Sequence, residues 1–266
     1  MPVYDLMDMT RDQLATLVDE TTVGVLPVAA IEPHGPHLPL STDCDIAVGH
    51  LAAIKKGDFS QDILLLPLQQ IGASDEHDPF VGTLSGDFDA LYRSWYEIAA
   101  RFNAWGGRRL IIMSSHGGNS ALVDQLILAL RRDFGMLAVS SAWLRFGQPD
   151  GLFDADERKY GIHGGDIETS LMLHFAPEKV SMENAANFEN DLARIEQKSA
   201  YLTGYGKHHF GWLSSDLNPQ GVVGNASAAT AEKGAASASH VLKGFTQLVA
   251  DVARFDLALF DRADRP

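Results

Sequence analysis

The chain has one cysteine, Cys44, among 266 residues. No intrachain disulfide can form, which excludes the disulfide-stapled secreted scaffolds. Long apolar runs are also missing, so no segment offers the roughly 20 residues that a membrane-spanning helix needs. Residues 1–20 are amphipathic and acidic rather than a basic head followed by an apolar core, so no signal peptide is expected. The expected compartment is therefore the cytoplasm. Basic residues are scarce: 21 Lys and Arg stand against 35 Asp and Glu, for a formal net charge of −14. Nucleic acid and anionic membrane surfaces both require basic patches, so neither is an expected partner. The length fits one large α/β domain over residues 1–266.

What the chain does have is a regular alternation of helix and strand signals. Thr10-Arg11-Asp12-Gln13 is a capping-box pattern, and Leu14, Leu17 and Val18 supply the stripe of a first helix. Residues 23–30 are an apolar run that reads as a buried strand. A helix over 45–55 and a strand over 63–71 follow. Next come a helix over Phe88–Ala104 stopped by Gly106-Gly107, a strand over Arg109–Ser114, and a helix over Ser120–Phe134 ended by Gly135. A strand over 137–144, a helix over 167–175 ending before Pro177, and a long Ala-rich helix over 226–255 complete the pattern. Residues 181–225 carry Gly204, Gly206, Gly211, Pro219 and Gly221 and predict an irregular surface or active-site loop. The alternation predicts an α/β fold of three layers, α/β/α, around a mainly parallel sheet.

Three clusters of ligand-type residues sit at predicted strand-to-helix transitions. The first strand empties into Glu32, His34, His37 and Asp43, with Pro33, Pro36 and Pro39 stiffening the path. Carboxylate and imidazole together suit zinc, manganese or iron. The alternative is a rigid Pro-rich turn with solvated charges. The second cluster is Ser114-Ser115-His116-Gly117-Gly118-Asn119. His116 adds an imidazole, and the Gly117 and Gly118 amides are candidate donors to a carbonyl or oxyanion. A plain glycine turn with Asn119 as helix N-cap fits the same residues. The third cluster is His163-Gly164-Gly165-Asp166-Ile167-Glu168-Thr169-Ser170. Its acids can equally complement a helix dipole. Ligands of parallel α/β sheets bind beyond the carboxyl ends of the strands, so the clusters can converge.

Residues 32–43, Ser115–Asn119 and 163–173, in this order, resemble the creatininase (creatinine amidohydrolase) family. Glu76-His77 followed by Gly82-Thr83-Leu84, and residues 221–225 with 229–234, add to the resemblance, which covers nearly the whole chain. It implies a creatininase-like α/β/α fold and a dinuclear divalent-metal site, with zinc first and manganese or iron as alternatives. It also implies hydrolysis of a non-peptide or small amide C–N bond by a hydroxide held at the metals, and often a homohexamer. The family pattern assigns Glu32, Asp43 and His116 to one metal, and His34 with a bridging Asp43 to the other. In creatininase the second metal also takes a glutamate two residues after the counterpart of His116. Here that position is Gly118, and Glu168 is the candidate replacement, with Asp166 as its rival. His163 matches a histidine that acts near the substrate and is the candidate proton carrier, with His77 as a second. Creatininase has an acid immediately before that histidine, where this chain has Ile162. Creatinine is therefore not the expected substrate; an apolar or uncharged edge facing Ile162 is. Trp212, with His208 and His209, is a candidate lid.

Three functions compete at this stage. The first is a metal-dependent amidohydrolase acting on a small molecule. The second is a ring-opening hydrolase of a keto-inositol or formamido-pyrimidine type compound. The third is a non-catalytic metal-binding protein that keeps the fold. His50, His174 and His240 fall on predicted helices and read as structural, and Cys44 reads as a small buried residue.

Overall fold

The computed structural model describes residues 1–260. In chain order its elements are β1 (Val3–Asp5), α1 (Arg11–Leu17), β2 (Val23–Val28), α2 (Thr42–Ile54), β3 (Ile63–Leu65), α3 (Phe88–Ala104), β4 (Arg109–Ser114) and α4 (Ser120–Phe134). They continue with β5 (Leu137–Ala142), α5 (Ala155–Tyr160), α6 (Asp166–Phe175), β6 (Asn187–Phe188), α7 (Leu192–Gln197), α8 (Ser214–Leu217), β7 (Gly224–Asn225) and α9 (Ala231–Arg254). The central sheet has the order β1-β3-β2-β4-β5, and every pairing in it is parallel.

Successive residues of a strand face opposite sides of the sheet, and here both sides are apolar. Val23, Val25, Ile63, Leu65, Ile111 and Met113 face a core shared with α2, α6 and α9. Leu26, Val28, Leu64, Leu110 and Ile112 face the other core, built with α1, α3 and α4. The result is three layers, as the alternation of strand and helix predicts. The cores also explain why the central strands are continuous apolar runs with no polar face. Phe102 of α3 lies so close to β2 that a Cβ on Gly24 would meet its ring at 2.7 Å. A methyl group there would force the ring out of the core.

Several boundaries differ from the sequence expectation, each for a local reason. The strand predicted over 63–71 ends at Leu65. Pro27 on β2 and Pro67 have no N–H to give the ladder. Pairing returns only at Val28 with Gln69, where Gln69 N–H donates to Pro27 O at 3.0 Å. The helix expected to begin at Asp45 begins at Thr42, because Thr42 Oγ1 donates to Pro39 O and Asp45 N–H to Ser41 O. Asp43 is thus in the first turn of a helix, not in a loop. The strand predicted over 137–144 stops at Ala142, and Trp143–Phe146 is a 3-10 turn. The closing helix begins at Ala231, capped by Thr230. The stretch 181–225 is not wholly irregular: β6 and β7 pair antiparallel across it, and it holds α7 and α8. The three-residue β1 is too short to leave a periodic signal. The Thr10 and Gln13 capping box is present as expected.

Candidate metal centre

The topology fixes where the site lies. β2 pairs with β3 on one side and β4 on the other, so the strand order switches sides about β2 while all strands stay parallel. Ligands of doubly wound sheets gather beyond the strand ends at such a point. Glu32 and His34 follow β2, His77 follows β3, and His116 follows β4. Asp43 comes from the first turn of α2, and Glu168 from the first turn of α6.

These side chains converge. His116 Nδ1 is 3.2 Å from Glu32 Oε1 and 3.6 Å from Asp43 Oδ2. His34 Nε2 is 3.7 Å from both Asp43 Oδ1 and Glu168 Oε2. Atoms that share an ion at about 2.1 Å can be no more than about 4.2 Å apart, and these separations satisfy that limit. Glu32, His34 and Asp43 are essentially inaccessible to solvent. Yet Glu32 Oε1, His34 Nε2 and Asp43 Oδ2 have no hydrogen-bond partner among the described residues. Buried polar atoms are normally paired. Unpaired donor atoms of three neighbouring residues, all of metal-ligand type, are what a cation site requires. The donor set therefore fits divalent metal.

The surrounding bonds orient the donors. His34 Nδ1 lies 3.1 Å from Glu32 O and His116 Nε2 lies 2.8 Å from Ala73 O. Each carbonyl holds the N–H of its imidazole and turns the other nitrogen inward, the usual support of a ligating histidine. Ser74 Oγ donates to Glu32 Oε2, and Gly164 N–H to Glu168 Oε2 at 2.6 Å. Burial works against charging His34 and His116, but the facing carboxylates outweigh it. Asp43 is the main opponent at His34 and Glu32 at His116, and the two imidazoles reach about 9 and about 10. Burial pushes Glu168 up to about 7. A cluster of carboxylates that draws protons onto its neighbours is one that favours cations.

Asp166, the rival of Glu168, points elsewhere. It pairs with Lys233 Nζ at 2.5 Å and accepts from Ser170 Oγ. His163 and His77 stand inside the cluster, not at its edge. His163 Nδ1 is 3.6 Å and His77 Nε2 is 3.4 Å from Glu32 Oε1, and the two ring centroids lie 4.2 Å apart with the rings tilted by 38°. His163 Nε2 is held by Pro33 O at 2.8 Å. Burial keeps both rings uncharged, with His34 adding to the effect at His163; His77 lies at about 4. Both are also within ligand reach: Glu32, His77 and His163 form one compact donor group, and His34, His163 and Glu168 another.

Above the cluster is a cavity of about 440 Å³, whose floor includes His77, His116 and His163. Its walls are largely apolar: Ile162, Tyr205, Trp212, Leu217, Val222 and Val223. Trp212 is tied by Nε1 to Gly204 O, and His209 also lines the wall, whereas His208 does not. Gly117 faces open space, but Gly118 is enclosed by Ala73 O, His116 Nε2 and Glu76 Oε1. Asn119 does not cap α4 with its side chain, contrary to expectation. It is fully buried and ties two loops together, accepting from Ala73 N–H and donating to Ala29 O. His50 is buried against Trp143 and Phe175 and His240 bonds Phe146 O, both away from the site. Sequence reasoning gave no role to Ser74, Tyr205 or the Glu76 carboxylate. Only the Glu76-His77 pairing was a signal for the last of these.

Comparison with known proteins agrees with this architecture. The "Mycofactocin precursor peptide peptidase" of Mycobacterium tuberculosis (strain CDC 1551 / Oshkosh) is 32% identical over 60% of this chain. The chain spans about 61% of the length of that relative. The creatinine amidohydrolase of Pseudomonas putida is 29% identical over 61% of this chain and 68% of its own. Among solved structures, a putative creatinine amidohydrolase from Bacteroides fragilis NCTC 9343 superposes with a TM-score of 0.73 at 26% identity. That likeness covers 95% of this chain and 97% of the other. The Creatininase profile, described as creatinine amidohydrolase, matches residues 7–249, and the chain belongs to the creatininase family.

Proposed function

We propose that the protein is a hydrolase with two divalent ions per chain that cleaves a C–N bond of a small molecule with an apolar body. The observation that carries this reading is the set of unpaired, buried Glu32, His34 and Asp43 atoms directly beneath a largely apolar cavity. Glu32, Asp43 and His116 would hold one ion, and His34, Asp43 and Glu168 the other. Zinc and manganese are supported by creatininases of the same fold that carry them. Ions held there supply Lewis acidity, which makes water acidic near neutral pH and polarises a carbonyl.

The chain's own groups do the rest. Ile162, Tyr205 and Trp212 exclude water around the bound substrate. His163 is uncharged and has its Nε2 fixed on Pro33 O, so Nδ1 is the atom that can take and release a proton. The open Gly117 backbone can approach a substrate oxygen. Ile162 stands beside His163, so the wall at this point offers no hydrogen bond to a polar ring edge. A polar substrate edge left unpaired there loses roughly 1–3 kcal/mol per group. Creatinine should therefore turn over at a kcat/KM well below about 10⁴ M⁻¹s⁻¹, the lower end of ordinary cognate rates.

The peptidase relatives favour a second substrate type, the amide of a short peptide, and a cavity of about 440 Å³ has room for an apolar side chain. A panel of creatinine, N-acyl amines, lactams and short peptide amides separates the readings. Hydrolysis of apolar amides that is lost on chelation and restored by metal supports the proposal. Efficient creatinine turnover, or activity indifferent to chelators, contradicts it. We further propose a homo-oligomer, up to a hexamer, because Leu40, Val81 and Leu84 present apolar surface around Gly82. Light scattering that finds a monomer would oppose this.

A further inference from the structure

Glu76 is neither a proposed metal ligand nor a proposed proton carrier, and its position is unusual. It lies in the turn Asp75–His77, just before the buried His77. A Cβ on Gly118 would come within 2.5 Å of Glu76 Oε1. Glycine at 118 leaves room for this carboxylate as well as for Ala73 O and His116 Nε2. Oε1 is 3.4 Å from His116 Nε2, but the proton on that nitrogen is directed to Ala73 O at 2.8 Å. The other donor available to the carboxylate is its own backbone N–H. The side chain is 22% exposed, and it lines the cavity. Its backbone is held in place by Ser214 Oγ, which donates to Glu76 O at 3.0 Å. Among the described residues that line the cavity there is no lysine or arginine to pair with it.

A carboxylate can accept about four hydrogen bonds. Most of that capacity here is turned to a cavity whose walls are otherwise largely apolar. We propose that Glu76 is a specificity residue that binds an ammonium or amide N–H of the substrate. This rests on the hydrolase reading for the identity of the cavity as the substrate site. The substrate class is then an amine- or amide-bearing compound with an apolar body, and anionic compounds are excluded. An uncharged donor makes only the weaker neutral bond to Glu76, an analogue with no N–H or O–H leaves it unpaired, and an anion is repelled. A charge-assisted hydrogen bond in such a site is worth on the order of ten- to a hundredfold in affinity.

The test compares phenethylamine, which is cationic at neutral pH, with 2-phenylethanol. The two share a ring and a chain length. Titration calorimetry is run on the metal-loaded protein and again on metal-stripped protein, where an amine has no ion to ligate. The wild type should bind the amine on the order of tenfold or more tightly than the alcohol in both forms. Added salt should weaken the amine alone. Glu76→Gln should bring the ratio near one with metal content unchanged. If the variant does not fold, Glu76→Asp, which retracts the charge from the cavity, should lower the ratio. A wild type with no preference for the amine, or a variant that keeps the preference, overturns the inference. Loss of metal from Glu76→Gln with the preference intact also overturns it, since Glu76 would then only support His116. Hydrolysis is not read in this experiment. A protein that cleaves no amide yet binds the amine through Glu76 would remove the proposed function and leave this assignment standing.

Discussion

Replacing Glu168 by glutamine should have opposite effects in the presence and absence of metal. Glu168 is buried, and its Oε2 sits 3.7 Å from His34 Nε2 with Asp43 on the same nitrogen. Burial raises its pKa from 4.5 to about 7, with Asp43 and Glu32 adding to the rise against the pull of His34. A raised carboxyl pKa means that the unfolded chain loses this proton more readily than the folded one. The folded state is then penalised as pH rises above 4.5, and the penalty is full above about 7. A displacement of that size corresponds to about 3 kcal/mol. Glutamine can still accept from Gly164 N–H and carries no charge. The metal-free variant should therefore be more stable than metal-free wild type by about 2–3 kcal/mol at pH 8. For a chain of this length that is on the order of 5–10 °C in Tm. With metal the order should reverse, because the variant lacks the proposed Glu168 ligand and with it the stabilisation that binding gives. Loss of a supporting residue alone weakens metal by about 10–100-fold, and loss of a ligand should exceed that. Differential scanning calorimetry of stripped and loaded protein, with elemental analysis of the loaded form, reads both effects. A variant that keeps full metal content and melts lower in both forms would refute the reasoning.

Other outcomes follow from neighbouring residues. Asp166→Asn should cost about 2 kcal/mol in chemical denaturation, since Lys233 loses a buried charged partner, while leaving metal content unchanged. His50 is 2% exposed with Nε2 unpartnered, and burial holds it at about 3, below the 6.5 of a free imidazole. The unfolded chain takes that proton first, so stability should be full above pH 6.5. It should then fall by about 1.4 kcal/mol per pH unit toward 3. His50→Phe should shift the acid-unfolding midpoint, followed by circular dichroism, to lower pH; an unmoved midpoint would count against this.

The sequence carries the frame of the fold because the central strands and amphipathic helices have strong periodicity. β2, β4, α3 and α4 were legible to within a residue or two for this reason. β3 was not, because the effect of Pro27 appears only once its strand partner is known. The cluster of donor-type side chains was legible because Glu32, His34, Asp43 and His116 all sit at strand ends or in the first turn of a helix. The choice between Asp166 and Glu168 was not legible. Two residues apart on a helix, side chains point about 200° apart, so one of them must face away. Residues 166–172 of α6 are all buried, so hydropathy does not reveal which one. Glu76 was present in a recognised pairing. Its approach to His116 depends on a glycine 42 positions away and is a property of the folded chain alone.

A dinuclear metal centre bridged by Asp43 is tested by counting ions. Wild type and Asp43→Ala should be stripped, reconstituted with excess zinc or manganese, freed of unbound metal and analysed for metal per chain. Two ions per chain are expected in the wild type and neither in the variant, because Asp43 faces His34 and His116 at once. At most one ion per wild-type chain at saturation, or a variant that keeps two, would contradict it.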